Sequence, residues 1–336
     1  MKRFIFQSIG FVLLLITVFA AADISLNSYA RRSVSNPGFE DHLTQLVVGN
    51  SARPEIIITG DSRAQNQIDS EMVTQAIGKE TVSVGAGALD LATVDAGLRA
   101  YGILGEHRLF IISVSSFQVN DGAIDTGIIS PAAISHMTLV ERMKIFRHHP
   151  MVWFYGDKQV LGYFLKSLFL KNSGRITETA YPHRGFVSVD RVMPLPLKDM
   201  VTSTSTSERD YSDPNFTGIR LRVFTQALSD LAASDDVFVI YSPPISPAWR
   251  DMTKGTFIDT IERDYGKTLA EESKKYLNVH YIDYYSDPNP LLTNDKYADK
   301  WHVNATGSKI FTAQVLRDIR NLGFEKIPTK NDRVSR

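Results

Sequence analysis

Five short apolar runs, each closed by residues that break regular structure, limit what this chain can become more than any other feature. They are "EIIITG" at 55–60, "TVSVGAG" at 81–87, "HRLFIISVSS" at 107–116, "DVFVIYSPP" at 236–244 and "NVHYIDYYSD" at 278–287. Their length, β-branched content and flanking breakers predict buried strands. Helical patterns follow them: "SRAQNQIDSEMVTQAIG" at 62–78, "ALDLATVDAGLRAYGILG" at 88–105, "FTGIRLRVFTQALSDLAAS" at 216–234, "GTFIDTIERDYGKTLAEESKKYL" at 255–277 and "NATGSKIFTAQVLRDIRNLG" at 304–323. Strand and helix in alternation require an α/β fold whose sheet is mostly parallel and covered on both faces.

The alternation lapses in the middle of the chain. Residues 122–209 form an insertion, largely helical, that includes "AAISHMTLVERMKIFRHH" and the very apolar "QVLGYFLKSLFLKN". Within it, "VLGYFLKSLFL" is expected as a core helix; its functional alternatives are a lid, a membrane-lying face or a docking face. A polar connector, "TSTSTSERDYSDPN", leads back to the sheet. The expected organisation is a core at 50–320 interrupted by that insertion, an exposed lead-in at 23–49 with one short helix, and a frayed tail at 321–336.

At the N-terminus, Lys2 and Arg3 precede the apolar run Phe4 to Ala22. A basic start before such a run is the mark of export, and residues 1–22 are expected to be a signal peptide or a retained membrane anchor, with the anchor slightly favoured. The rest of the chain would then lie on the periplasmic or other extracytoplasmic face. Basic and acidic residues balance at 37 each, which argues against nucleic acid as a partner. With no cysteine there is no thiol nucleophile and no thiolate metal site. The histidines lack the spacing of a metal site, and the glycines at 85 and 87 lack a dinucleotide fingerprint, so neither metal nor cofactor is expected.

In an open α/β sheet, ligands gather at the carboxyl ends of the strands. Four segments bring polar residues there: Gly60-Asp61-Ser62, Gly85-Ala86-Gly87, Ser113 to Asn120, and "DKYADKWHVNATG" after the last strand. Acyl transfer by a serine needs a hydroxyl, an imidazole, a carboxylate that orients it and donors for the oxyanion. Ser62, His302 and Asp299 supply the first three. The Ser62 N–H and that of Gly85 or Gly87 can supply the donors. Gly-Asp-Ser by itself is also an ordinary helix cap after a strand; its partners near the C-terminus give it chemical meaning.

Gly60-Asp61-Ser62 together with Asp299-Lys300-Trp301-His302 resembles the SGNH, or GDSL-type, hydrolase superfamily. The resemblance covers about 180 residues outside the insertion. It implies a flavodoxin-like three-layer α/β/α fold with a mostly parallel five-stranded sheet, Ser62 as nucleophile, His302 as base, Asp299 as its orienting carboxylate and Gly85 or Gly87 in the oxyanion hole. The superfamily's Gly-x-Asn-Asp block is missing. Its place is taken by "SVSSFQVND", where Ser115 or Ser116 stands for the asparagine and Asn120 lies farther along. Arg63 is a further candidate for substrate contact. The divergence, the insertion and the apolar N-terminus resemble the cell-envelope branch that partners membrane-bound O-acyltransferases. An acylated glycan or small acyl ester is then the expected substrate, handled by an esterase or O-acyltransferase. The alternatives are a non-catalytic accessory or carbohydrate-binding protein and a secreted lipase.

Overall fold

The computed structural model describes residues 8–11, 14, 17, 37–49, 54–121, 130–138, 140–143, 183–197 and 215–324. Most of the N-terminal apolar run, the segment "VLGYFLKSLFL", nearly all of the polar connector and most of the tail lie outside them. Among the described residues no helix is long and apolar enough to cross a membrane.

The five apolar runs become β1 (Ile56–Gly60), β2 (Thr81–Ser83), β3 (Leu109–Ser113), β4 (Val237–Ser242) and β5 (Val279–Asp283). They form one sheet in the order β2-β1-β3-β4-β5, and every pairing is parallel. This is the doubly wound order of flavodoxin-like sheets. Because β2 and β3 flank β1, the chain reverses its direction of winding between β1 and β3. The crevice beyond their carboxyl ends is where such a sheet takes its ligand.

Alternate strand residues supply the two faces. Ile57, Phe110, Ile112, Phe238 and Ile240 pack with one group of helices, whereas Ile56, Ile58, Leu109, Ile111, Val239 and Tyr241 pack with the other. The side chains of Ile56, Ile57 and Ile58 are wholly buried, and each such burial is worth roughly 2–3 kcal/mol of transfer free energy. On the first face lie α1 (Pro37–Gly49), α4 (Leu91–Ala100), α6 (Ile219–Ala232) and α8 (Phe257–Ser273). On the second lie α2 (Ser62–Gln67), α3 (Ser70–Ile77), α7 (Pro247–Thr253) and α9 (Ala305–Asn321).

Two local expectations change, and one helix is added. The lead-in helix is not exposed: Phe39 and Leu43 of α1 are fully buried against α4. A Cβ at Gly97 would stand 2.5 Å from the Phe39 ring, so the glycine is what lets the helices meet. The stretch 62–78 is not one helix. Ile68 turns extended and buried, and Asp69 starts α3 by accepting the N–H groups of Glu71 at 3.0 Å and Met72 at 3.1 Å. A good N-cap inside a helical pattern competes with its continuation. Finally, α7 was readable from Ser246 followed by Pro247, a cap and a first-turn proline, but its short apolar pattern conceals it.

The insertion leaves and rejoins the sheet at one place. The Asp121 N–H donates to the Asn215 carbonyl at 2.9 Å, and the Asn215 N–H donates to Asn120 Oδ1 at 2.9 Å. Of its interior, the structure describes residues 130–138 with a short helix, α5 (Pro131–Ser135), residues 140–143, and a segment at 183–197 that returns to the core.

Two features of this framework predict measurable behaviour. Gly60 has φ +117°, and a Cβ there would lie 2.5 Å from the Ser113 carbonyl oxygen. Gly60→Ala should therefore cost on the order of 2–3 kcal/mol in chemical denaturation, combining a forbidden backbone conformation with a clash between β1 and β3. Asp95, buried on α4, is pushed up to about 6 by burial, against the pull of Arg99 at 2.8 Å. The native state thus holds this proton more tightly than the unfolded chain does, so stability falls as pH rises from about 4 to about 6. Across that window Asp95→Asn should gain in melting temperature relative to the wild type.

Candidate active site

Ser62 is presented by a turn that a buried carboxylate organises. Asp61, only 3% exposed, has extended backbone and caps α2 by accepting the Arg63 N–H at 3.0 Å. Its Oδ1 also accepts the Ser113 hydroxyl at 2.9 Å, and its Oδ2 accepts the Ser115 hydroxyl. Asp61 at the end of β1 therefore bonds two residues at the end of β3. The Ser62 N–H stands at the first position of a helix, where no carbonyl precedes it within the helix.

The opposite wall is a tight loop between β5 and α9. Tyr297 and Val303 form an antiparallel bridge, and the Ala298 N–H donates to the His302 carbonyl at 2.7 Å. Asn304 secures the base of the loop. Its Oδ1 caps α9 through the Gly307 N–H at 3.1 Å, while its Nδ2 and backbone N–H donate to the carbonyls of Asp295 and Lys296, both at 2.8 Å. Gly307 is required there, since a Cβ would stand 2.1 Å from the Lys296 carbonyl oxygen.

The two walls meet at the residues singled out by sequence. Ser62 Oγ lies 2.9 Å from His302 Nε2, and His302 Nδ1 lies 2.9 and 3.0 Å from the two oxygens of Asp299. Asp299 Oδ1 also accepts the N–H groups of Trp301 and His302, each at 2.9 Å. Burial by itself would raise the Asp299 carboxyl. The hydrogen bond and charge of His302, with the two backbone N–H groups, outweigh it and hold the carboxyl well below its usual range. With Asp299 ionised, Nδ1 is the natural seat of the imidazole proton, leaving Nε2 to accept from Ser62.

The remaining candidates are not all turned toward this space. The Ser115 hydroxyl donates to Asp61 and accepts from Arg63, which also pairs with Asp61 at 3.4 Å. Ser115 and Arg63 therefore belong to a partly buried network that holds the turn. Ser116 donates to the buried Glu262 at 2.9 Å, and Asn120 joins the ends of the insertion. Both side chains are thus engaged within the protein. At Gly85 a Cβ would lie 2.8 Å from the Gln65 backbone nitrogen, so the glycine lets α2 pack closely against this turn. Gly87 is exposed, and a Cβ there would meet nothing within 4 Å. It is followed by Ala88 at φ 56°, a strained conformation for a residue with a side chain.

Three residues of the site escaped sequence reading. Lys300 is buried between the rings of Trp249 and Trp301, its Nζ 4.3 and 4.2 Å from their centres. This double cation–π contact fixes the loop that carries Asp299 and His302. Its flanking tryptophan was a visible signal, but Trp249 was not. Gln67, fully buried on α2, donates to the Trp301 carbonyl at 2.8 Å and so ties the serine helix to the histidine loop. Arg191, from the insertion, donates to Asp299 Oδ2 at 2.9 Å. Nothing local marks either residue.

Among the described residues, one group brings donor atoms suited to a metal within 4.8 Å of one another: Asp95, His136 and Asp230. It lies on the other face of the sheet from α2. Arg99 already bonds Asp95, so a cation would have to displace a guanidinium.

No protein-family model matches the chain. No curated protein matches it either. Among solved structures it is similar to a provisionally named platelet activating factor from Streptococcus pneumonia, at 11% identity and TM-score 0.37 over 91% of this chain and 96% of the other. It is also similar to a provisionally named acylhydrolase from Bacteroides fragilis NCTC 9343, at 11% identity and TM-score 0.37 over 86% and 98%. Likenesses this slight carry no argument, and the functional reading rests on the geometry of the site.

The capping analysis predicts that Asn304→Ala loses about 1 kcal/mol of stability. Because Asn304 also holds the carbonyls at the base of the loop, amide exchange at 295–303 should accelerate more than exchange in the sheet. Hydrogen-exchange mass spectrometry reads both regions in one experiment.

Proposed function

We propose that the chain is a serine-dependent acyl-transfer enzyme that cleaves an ester through an acyl-enzyme on Ser62. The observation that carries this reading is the run of contacts from Ser62 Oγ to His302 Nε2 at 2.9 Å and from His302 Nδ1 to Asp299 at 2.9 Å. Ser62 Oγ attacks the acyl carbonyl while its proton passes to His302 Nε2. The alkoxide of the tetrahedral intermediate is met by the Ser62 N–H and by Gly87, the more open of the two glycines. Collapse breaks the ester bond, and His302 returns the proton to the leaving alcohol. Water or a sugar hydroxyl then gives a proton to His302 and attacks the acyl-serine, regenerating Ser62. Each donor to the oxyanion is worth about 3–4 kcal/mol in such a transition state, so the lack of the usual asparagine predicts a modest rate.

The finer reading is an envelope enzyme, esterase or O-acyltransferase, acting on an acylated glycan beside a membrane-bound O-acyltransferase. It is supported by the basic, then apolar, N-terminus and by the resemblance of the Gly60-Asp61-Ser62 and Asp299-to-His302 motifs to SGNH-type hydrolases. A non-catalytic binding protein has no need of an imidazole within hydrogen-bond reach of the serine, and the 2.9 Å contact favours the enzyme over that alternative.

A serine-directed phosphonate should label the wild type at Ser62, and Ser62→Ala and His302→Ala should abolish both labelling and ester turnover. Asp299→Asn should lower turnover about 10⁴-fold by leaving the imidazole in the wrong tautomer. Turnover unchanged in all three variants would overturn the assignment. Acyl esters offered with and without polysaccharide, with free and transferred acyl groups followed separately, distinguish hydrolysis from transfer.

A further inference from the structure

The insertion returns across the two walls of the site. Along residues 187–193 its contacts with the core recur at every second residue, the spacing of extended chain. The Val187 N–H donates to the Gln65 carbonyl at 3.1 Å, on the helix that begins with Ser62. The Val189 carbonyl accepts the Ala305 N–H at 2.8 Å, and the Met193 N–H donates to the Tyr297 carbonyl at 2.7 Å, both on the wall that carries His302. Met193 and Leu197 are buried in the same core cluster as Tyr297 and Val303. The segment is thus docked on either side of Arg191, whose guanidinium reaches Asp299 Oδ2 at 2.9 Å.

We propose that Arg191 is a positioning residue for the Ser62 site, and that through it the geometry of Asp299 and His302 depends on the docking of the inserted region. This rests on the serine reading above. The two oxygens of Asp299 are held differently. Oδ1 accepts two backbone N–H groups of its own loop besides the His302 ring, whereas Oδ2 has Arg191 besides that ring. Arg191 therefore sets the rotation of the carboxylate about its own bond, and with it the direction in which His302 is pulled. The Arg191 side chain is 67% exposed, and exposed ion pairs contribute little to stability. A small misplacement of catalytic groups, by contrast, can lower a rate by orders of magnitude. Arg191 thus bears on rate more than on folding.

The test compares wild type, Arg191→Gln and Arg191→Lys by the kinetics of Ser62 labelling with a small uncharged phosphonate ester. The expected result for Arg191→Gln is a roughly ten-fold lower maximal labelling rate, with unchanged half-saturating phosphonate and unchanged melting temperature. Arg191→Lys should recover most of the rate. An unchanged maximal rate, or a change confined to half-saturation, would overturn the positioning role. Proton NMR of the His302 Nδ1–H in the same variants needs no turnover. Its resonance should move in Arg191→Gln and return toward the wild-type position in Arg191→Lys, and an unmoved resonance also overturns the proposal. A wild type that is never labelled at Ser62 defeats the serine reading, whereas labelling at equal rates in all three proteins defeats the role of Arg191 alone.

Discussion

The buried carboxylate of Asp61 is the interaction on which the site depends. A carboxylate with so little access to water is tolerable only when its lone pairs are filled, and here the Arg63 N–H and the hydroxyls of Ser113 and Ser115 fill them. Those partners come from the ends of β1 and β3, the two strands between which the winding of the sheet reverses. Satisfying the charge therefore closes the crevice floor and starts α2 in one step. The direction of Ser62 follows from that closure.

The opposite wall is held by different means. The Asp299-to-His302 loop is short, closed by a backbone bridge and stapled by Lys300 between two tryptophans. Gln67 spans the walls by bonding the Trp301 carbonyl from the serine helix. These contacts keep two chain segments 240 residues apart within hydrogen-bond distance, the kind of preorganisation that the proposed chemistry would require.

Much of the fold was legible because its signals are local. Runs such as Ile56-Ile57-Ile58 allow little but a buried strand, and helical patterns between such runs imply parallel crossovers. The break at Ile68-Asp69 was less legible, because an N-cap and a mid-helix aspartate look alike until packing chooses. The exposed lead-in was misread since Phe39 and Leu43 reveal their burial only beside Gly97. At the site, Ser62, Asp299 and His302 stand in recognisable short motifs. Ser115, Ser116 and Asn120 were placed by alignment to an absent motif, and their side chains found other partners.

The amino-acid order determines the strands, the helices that cover them and the residue types offered at each strand end, because these follow from hydrophobic period, capping and backbone preference. It also places a serine after β1 and an Asp-x-x-His before the last helix. Only the tertiary structure decides which hydroxyls are consumed by Asp61, that Gly85 packs against a helix while Gly87 faces outward, and that an arginine from a distant insertion meets Asp299. The reason is physical. Hydrogen-bond partners and close approaches are settled by three-dimensional competition among all nearby donors and surfaces, and no local pattern records the outcome.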